Sequence, residues 1–243
     1  ASAIEQLDIG DTLQLICFGS SMRFLWNAPQ RLTQENKREA IAYVKRCEAD
    51  MGGTEIFSPI RLALTEHPQA EALTNLVVIT DGAVSNEQEV IDFASAHAQT
   101  TRVFTYGVGH AVSQTLVREL ARVTHGKHET FSPHEENHKR VARLLEHLGV
   151  PTSEHHIEWG ELDAVAYPTP LPLLLAGEQT TLLAKINAGK SHHVELVTEH
   201  GARRIAVDLD GASEGELLGL LWAREAIRAL ARDPESHRER VID

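Results

Sequence analysis

Two runs of residues restrict what this chain can fold into: NLVVIT at 75–80 and RVFTYGV at 102–108. The first is continuously apolar and shows no polar alternation, so it does not fit a strand with one wet face. A continuous run of this length suits a parallel strand covered on both sides. The second reads as another buried strand. Between them, Ser85 and Gln88 stand at the spacing of a capping box, which predicts a helix running to about His97.

The same alternation extends over the first 149 residues. Thr12 to Phe18 reads as a strand with a short partner around Met22 to Trp26. Thr33 is placed to cap a helix whose inward stripe is Ala40, Ile41, Val44 and Cys47. A second helix is predicted from about Ser58, with Pro59 in its first turn, where proline is tolerated. Ser113 opens another, with Leu116, Val117, Leu120 and Val123 inward. Lys127 to Phe131 reads as a strand, and Ser132, Pro133 and Glu135 begin a helix that ends near Leu148. Strands alternating with helices predict a doubly wound α/β fold with a mainly parallel sheet over 1–149.

After Gly149 the character changes. Pro151, Pro168, Pro170 and Pro172 crowd a stretch without helical period. His156 to Trp159, Thr180 to Asn187, His193 to Thr198 and Arg203 to Leu209 read as strands. Ser213 and Glu216 then box a final helix with Leu217, Leu220, Leu221, Ile227 and Leu230 on one stripe. The expectation for 150–243 is a small antiparallel β unit followed by a C-terminal helix.

Composition narrows the function classes. A formal net charge of −12 disfavours a nucleic-acid groove and an anionic membrane surface, and it is compatible with a cationic ligand or a basic partner. No apolar run approaches the ~18 residues of a membrane span. There are two cysteines, Cys17 in an apolar strand-like run and Cys47 on a helix stripe. These positions predict buried, reduced, inert thiols and a cytoplasmic setting.

The stretch DMGGTEIF at 50–57 is unusual, because neither glycine helps a helix or a strand. Thr54 follows the glycine pair, and Asp81 follows the strand 75–80 directly, as ITDG. Both positions belong to the edge where open α/β sheets bind ligands, beyond the carboxyl ends of the strands. A hydroxyl and a carboxylate brought together there suit a hard divalent cation. Gly52 and Gly53 would let the loop approach a metal, and Gly82 would let the chain turn after Asp81. The plainer reading makes Thr54 a helix cap and Asp81 a turn residue.

The segments DMGGTEIFSPIRLAL, LVVITDGAVSN, RVFTYGVG and TLVRELARVTHGKHETF resemble the von Willebrand factor type A (vWA) domain. The nearer likeness is to the inter-α-trypsin inhibitor heavy chain branch and its intracellular relatives. DTLQLICFGSSMRFLW is similar to their second and third strands, and LLGLLWAREAIRALA to the helix after their β-rich segment. The resemblance implies a non-enzymatic protein-interaction module with a metal-ion-dependent adhesion site. Thr54 would ligate Mg²⁺ (or Mn²⁺ or Ca²⁺) directly, and Asp81 would act through water. Gly53, Glu55 and Gly82 would line the partner-binding rim, and an acidic side chain of a protein partner would complete the coordination. The family's first strand carries Asp-x-Ser-x-Ser, and nothing of that kind stands here. ASAIEQLDIGD is similar to the end of the first helix, and Ser20 and Ser21 read as strand-end or turn residues. Without that strand, two neighbouring strands are expected to show open edges, and metal binding is expected to be weak or absent, which leaves a metal-free vWA scaffold as one alternative.

A motif of another class is HEENH at 134–138. On a helix, His134 and His138 would share a face suited to zinc, with Glu135 as general base of a metallohydrolase. Glu135 also has a structural role open to it, in the Ser132 capping box. His155/His156 and His192/His193 are adjacent pairs, which point to opposite faces of a strand and chelate poorly.

Overall fold

A computed structural model describes residues 2–48, 50–65, 74–131, 155–169, 171, 174, 179–188, 193–198, 201–207 and 216–230. The chain divides into two compact units, 1–150 and 151–243.

The first unit is built on three parallel strands in the order β5–β6–β7, with β5 at Thr74–Thr80, β6 at Thr101–Val108 and β7 at His128–Phe131. Residues 101–107 of β6 are all buried, as a parallel strand between helical layers requires. Side chains alternate across it. Val103 joins Val78 of β5 on the face covered by α3 (Phe57–Thr65), α4 (Glu87–Ala96) and α5 (Gln114–Val123). These helices contribute Ile56 (just before α3), Ile60, Leu64, Val90, Ile91, Ala94, Leu116 and Leu120 to one cluster. Phe104 and Tyr106 point the other way and cluster with Phe131, whose ring stacks on Tyr106 at 5.4 Å.

Local hydrogen bonding explains where the helices begin. Thr33 and Asn36 exchange side-chain and backbone bonds at the start of α2 (Gln34–Arg46), and Ser113 accepts from the Leu116 N–H at the start of α5. Two predicted caps are corrected. α3 starts at Phe57, and the Glu55 carboxylate accepts from the Phe57 and Ser58 N–H groups, so Ser58 is not the cap. An upstream carboxylate satisfies those unpaired donors and complements the helix dipole. At α4 the cap position is Asn86, and the Ser85–Gln88 box does not form: Gln88 donates to Asp92 instead, at 2.7 Å.

The predicted strand 12–18 is broken. β1 (Thr12–Leu13) pairs with β4 (Gln30–Arg31), whereas β2 (Ile16–Phe18) pairs with β3 (Met22–Phe24). At the break the Gln14 side chain accepts from the Leu15 N–H and donates to the Trp26 carbonyl. A five-residue helix, α1 (Ser2–Gln6), precedes β1. Among the described residues, β2 pairs only with β3 and β5 only with β6, so each has an edge without a ladder partner. Cys47 also departs from expectation. It lies beyond the last turn of α2 with extended backbone (ψ 127°) and is exposed rather than on a buried stripe.

In the second unit, β8 (His155–Glu158), β11 (His193–Thr198) and β12 (Gly201–Ala206) form an antiparallel sheet in the order β12–β11–β8. A strand that sequence reading missed, β9 (Asp163–Tyr167), pairs antiparallel with β10 (Leu183–Ala188). It ends at Tyr167, directly before Pro168, and the prolines that follow draw attention away from it. The final helix, α6 (Glu216–Leu230), is held through Trp222, which donates to the Val165 carbonyl at 2.9 Å and meets the Tyr167 ring edge-on at 5.6 Å. The buried face of α6 keeps only part of the predicted stripe: Ala226 is buried and Leu221 and Leu230 are half-buried, whereas Leu217, Leu220 and Ile227 are exposed. Docking through Trp222 rotates the leucine stripe outward.

Candidate functional site

The site is assembled from the ends of β2 and β5 and the loop between α2 and α3. The chain leaves β2 through Gly19 and Ser20, and the later loop returns alongside. The Ser20 N–H donates to the Met51 carbonyl at 2.8 Å, and the Glu55 N–H donates to the Gly19 carbonyl at 3.0 Å. Gly52 takes a left-handed φ of 69°, which glycine adopts at no steric cost. The Ser20 hydroxyl lies over the glycine pair, 3.2 and 3.3 Å from where a Cβ would stand on Gly52 and Gly53.

Thr54 is half-buried, and its side chain rests on Gly82. A Cβ added to Gly82 would overlap the Thr54 Oγ1 and stand 3.0 Å from its Cβ. The need for glycine here is therefore contact between two loops as well as turning. The ITDG turn is closed by the Gly82 N–H, which donates to the hydroxyl of buried Thr80 at 3.4 Å. Asp81 immediately precedes Gly82 and is exposed. Thr54, Gly82 and Ser20 thus lie around one rim, with Asp81 next in the chain, although Ser20 and Thr54 are separated by the whole of α2. Sequence reading took Ser20 for a turn residue. The signal available was its place just after a strand, at the edge where Thr54 and Asp81 were also expected.

The Ser20 and Thr54 hydroxyls lie at this rim, and Asp81, whose side chain is a carboxylate, stands next to Gly82 in the chain. Hydroxyl and carboxylate oxygens suit a hard cation in kind. The neighbouring carboxylates are otherwise engaged. Glu55 is exposed and its carboxylate caps α3, and Asp50 pairs with Arg23 at 3.0 Å. Among the described residues, no group of three His, Cys, Asp or Glu side chains could hold a metal ion. His134, Glu135 and His138 lie outside the described residues. His155 and His156 are neighbours on β8 and so face opposite ways.

Comparison with known proteins agrees with this architecture. The family model described as von Willebrand factor type A domain matches residues 1–130. A von Willebrand factor A domain-containing protein of Dictyostelium discoideum is 30% identical over 189 residues, 77% of this chain and 21% of that protein. The von Willebrand factor A domain-containing protein 5B1 of Homo sapiens is 31% identical over 158 residues, 65% of this chain and 13% of that protein. The chain spans about a fifth of the length of the first Dictyostelium relatives it matches. Among solved structures, the von Willebrand factor type A protein from Catenulispora acidiphila superimposes with a TM-score of 0.53 at 14% identity, covering 86% of this chain and 60% of that one. The parallel β5–β6–β7 layer under three helices, the likeness of fold and the family match over more than half the sequence lead to one conclusion: this chain belongs to the von Willebrand factor type A domain family.

Proposed function

We propose that the chain is a protein-interaction module whose binding surface is the rim around Thr54, Asp81 and Gly82. vWA domains are in general non-enzymatic interaction modules. The finer reading is that Thr54 and Ser20 offer hydroxyl oxygens to a divalent cation, Mg²⁺ or Mn²⁺, with Asp81 acting through water. An acidic side chain of the partner then supplies the further negative charge. The seat of the Thr54 side chain on Gly82 carries this reading, because it brings a hydroxyl to the turn that bears Asp81. Mg²⁺ keeps near-octahedral geometry and dehydrates reluctantly, so a rim with one carboxylate binds it weakly and keeps positions open for water and for the partner.

One observation favours a second reading, a vWA scaffold that binds partners without metal. Glu55 and Asp50 are committed to α3 and to Arg23, which leaves Asp81 to carry the charge of the rim. Calorimetric titration with Mn²⁺ separates the readings. Binding in the ~10⁻⁴–10⁻³ M range of weak cation modules is expected. It should weaken at least severalfold in both Asp81→Ala and Thr54→Val. No binding by the unaltered chain selects the scaffold, and binding indifferent to both substitutions places the metal elsewhere. Tight zinc binding lost in His134→Ala would instead revive the metallohydrolase reading of HEENH.

A further inference from the structure

The two cysteines of the chain are the strongest chemistry-bearing pair outside the rim. They stand 30 residues apart in sequence, yet their Sγ atoms are 2.8 Å apart. A disulfide bond is about 2.05 Å long, so closure needs less than an ångström of sulfur movement. Cys17 lies in β2 and is half-buried, and Cys47 follows α2 and is exposed. Both line a surface cavity of about 290 Å³ together with Arg23, Tyr43, Arg46, Glu48, Asp50 and Met51. A small reagent can therefore reach the sulfurs. Met51 of this cavity is the residue whose carbonyl receives the Ser20 N–H at the rim.

We propose that Cys17 and Cys47 form a redox modification site, a dithiol that a low-molecular-weight disulfide converts to an intramolecular disulfide, clamping the turn after β2 to the loop that carries Thr54. The exposed Cys47 thiolate attacks the reagent RSSR, giving Cys47–S–S–R and releasing RS⁻. Cys17 then gives up its proton and attacks the Cys47 sulfur, and the second RS⁻ departs. Two electrons and two protons pass to the reagent, which leaves as two RSH. The bond stands two residues before Gly19 and four before Met51, so it reinforces the hydrogen bonds from Ser20 to Met51 and from Glu55 to Gly19. The site does not depend on metal binding at the rim.

The groups facing Cys47 set its rate of reaction. Its thiol is pushed up to about 11 by partial desolvation, then by the hydrogen bond and charge of Cys17, while Arg23 opposes and Asp50 adds to the shift. Tyr43, Arg46 and Glu48 complete the surround. The thiolate is the attacking form, so exchange is slow at neutral pH and quickens as pH rises.

The test equilibrates the 243-residue chain with reduced or oxidised glutathione and counts thiols in denaturant, with intact mass and non-reducing peptide mapping. Two thiols in the reduced buffer should become none in the oxidised one, with a linked Cys17–Cys47 peptide and no dimer. Thermal unfolding should shift upward by about 5–10 °C on oxidation. Hydrogen exchange at the Ser20 and Glu55 amides should slow severalfold. In Cys47→Ser neither change should follow the buffer. Persistent free thiols, glutathione adducts on both cysteines or intermolecular linkage would overturn the disulfide, and amide exchange equal in both buffers would overturn the clamp.

Discussion

β6 and β12 are strands of similar length with opposite surroundings. Residues 101–107 of β6 are buried, whereas all six residues of β12 are exposed. β6 runs between two parallel neighbours with helices on one face and the Phe104–Tyr106–Phe131 cluster on the other. β12 is an edge strand carrying Arg203 and Arg204, and charge on an edge discourages pairing with other chains. The helices differ in the same way: Leu116 and Leu120 of α5 are each 1% exposed, whereas Leu217 and Leu220 of α6 are 68% and 66% exposed. The hydrophobic driving force scales with apolar area removed from water, so among the described elements β6 and α5 contribute more stability than β12 and α6.

The largest expected effect tests that contrast directly. Phe104→Ala should cost about 3–5 kcal/mol in urea unfolding, as for other large core truncations. Ile205→Ala on β12, at 41% exposure, should cost less than ~1 kcal/mol. Similar losses for the two would break the comparison. Next come the helices. Leu120→Ala should lose about 2–5 kcal/mol, and Leu220→Ala should stay within ~0.5 kcal/mol of the unaltered protein.

A smaller effect sharpens the comparison at the level of caps. Ser113→Ala removes an acceptor from the start of α5 and should cost about 1 kcal/mol. Ser85→Ala, at a position where sequence predicts a cap and none forms, should change stability by less than ~0.5 kcal/mol. The smallest effect is in pH dependence. With the fold holding the Cys47 thiol at about 11 and the Tyr43 hydroxyl at about 12, the native state favours their protonated forms. That contribution is complete below the ordinary thiol range, near ~8.5, and is lost as pH rises through the raised values. In reducing buffer, the urea midpoint should therefore fall between pH 9 and 11, and by less in Cys47→Ser. A midpoint flat across that window would show that the pair does not favour the native state.

The features legible in the sequence are those decided by nearby residues. The covered strand 75–80, its parallel neighbour and the helix between them follow from hydrophobic period and strand length. Thr33 and Ser113 were readable as caps because a side chain reaches backbone only about three residues away. The same local logic erred at Ser58 and Ser85, where two candidates competed within one turn and Glu55 and Asn86 took the positions. Asp81 and Gly82 could be assigned to one sheet edge, because topology fixes where the loop after a parallel strand emerges, whereas Thr54, between two helices, was placed there by its glycine-supported loop at a helix start.

What tertiary structure alone decided is the set of contacts between distant parts of the chain. Gly82 proved to be the seat of the Thr54 side chain, Ser20 came to lie over Gly52 and Gly53, and Cys17 met Cys47 across α2. The face that α6 buries was set in the same manner, by Trp222 reaching Val165. Periodicity along a chain records which residues avoid water, and it holds no record of which distant partner each one meets.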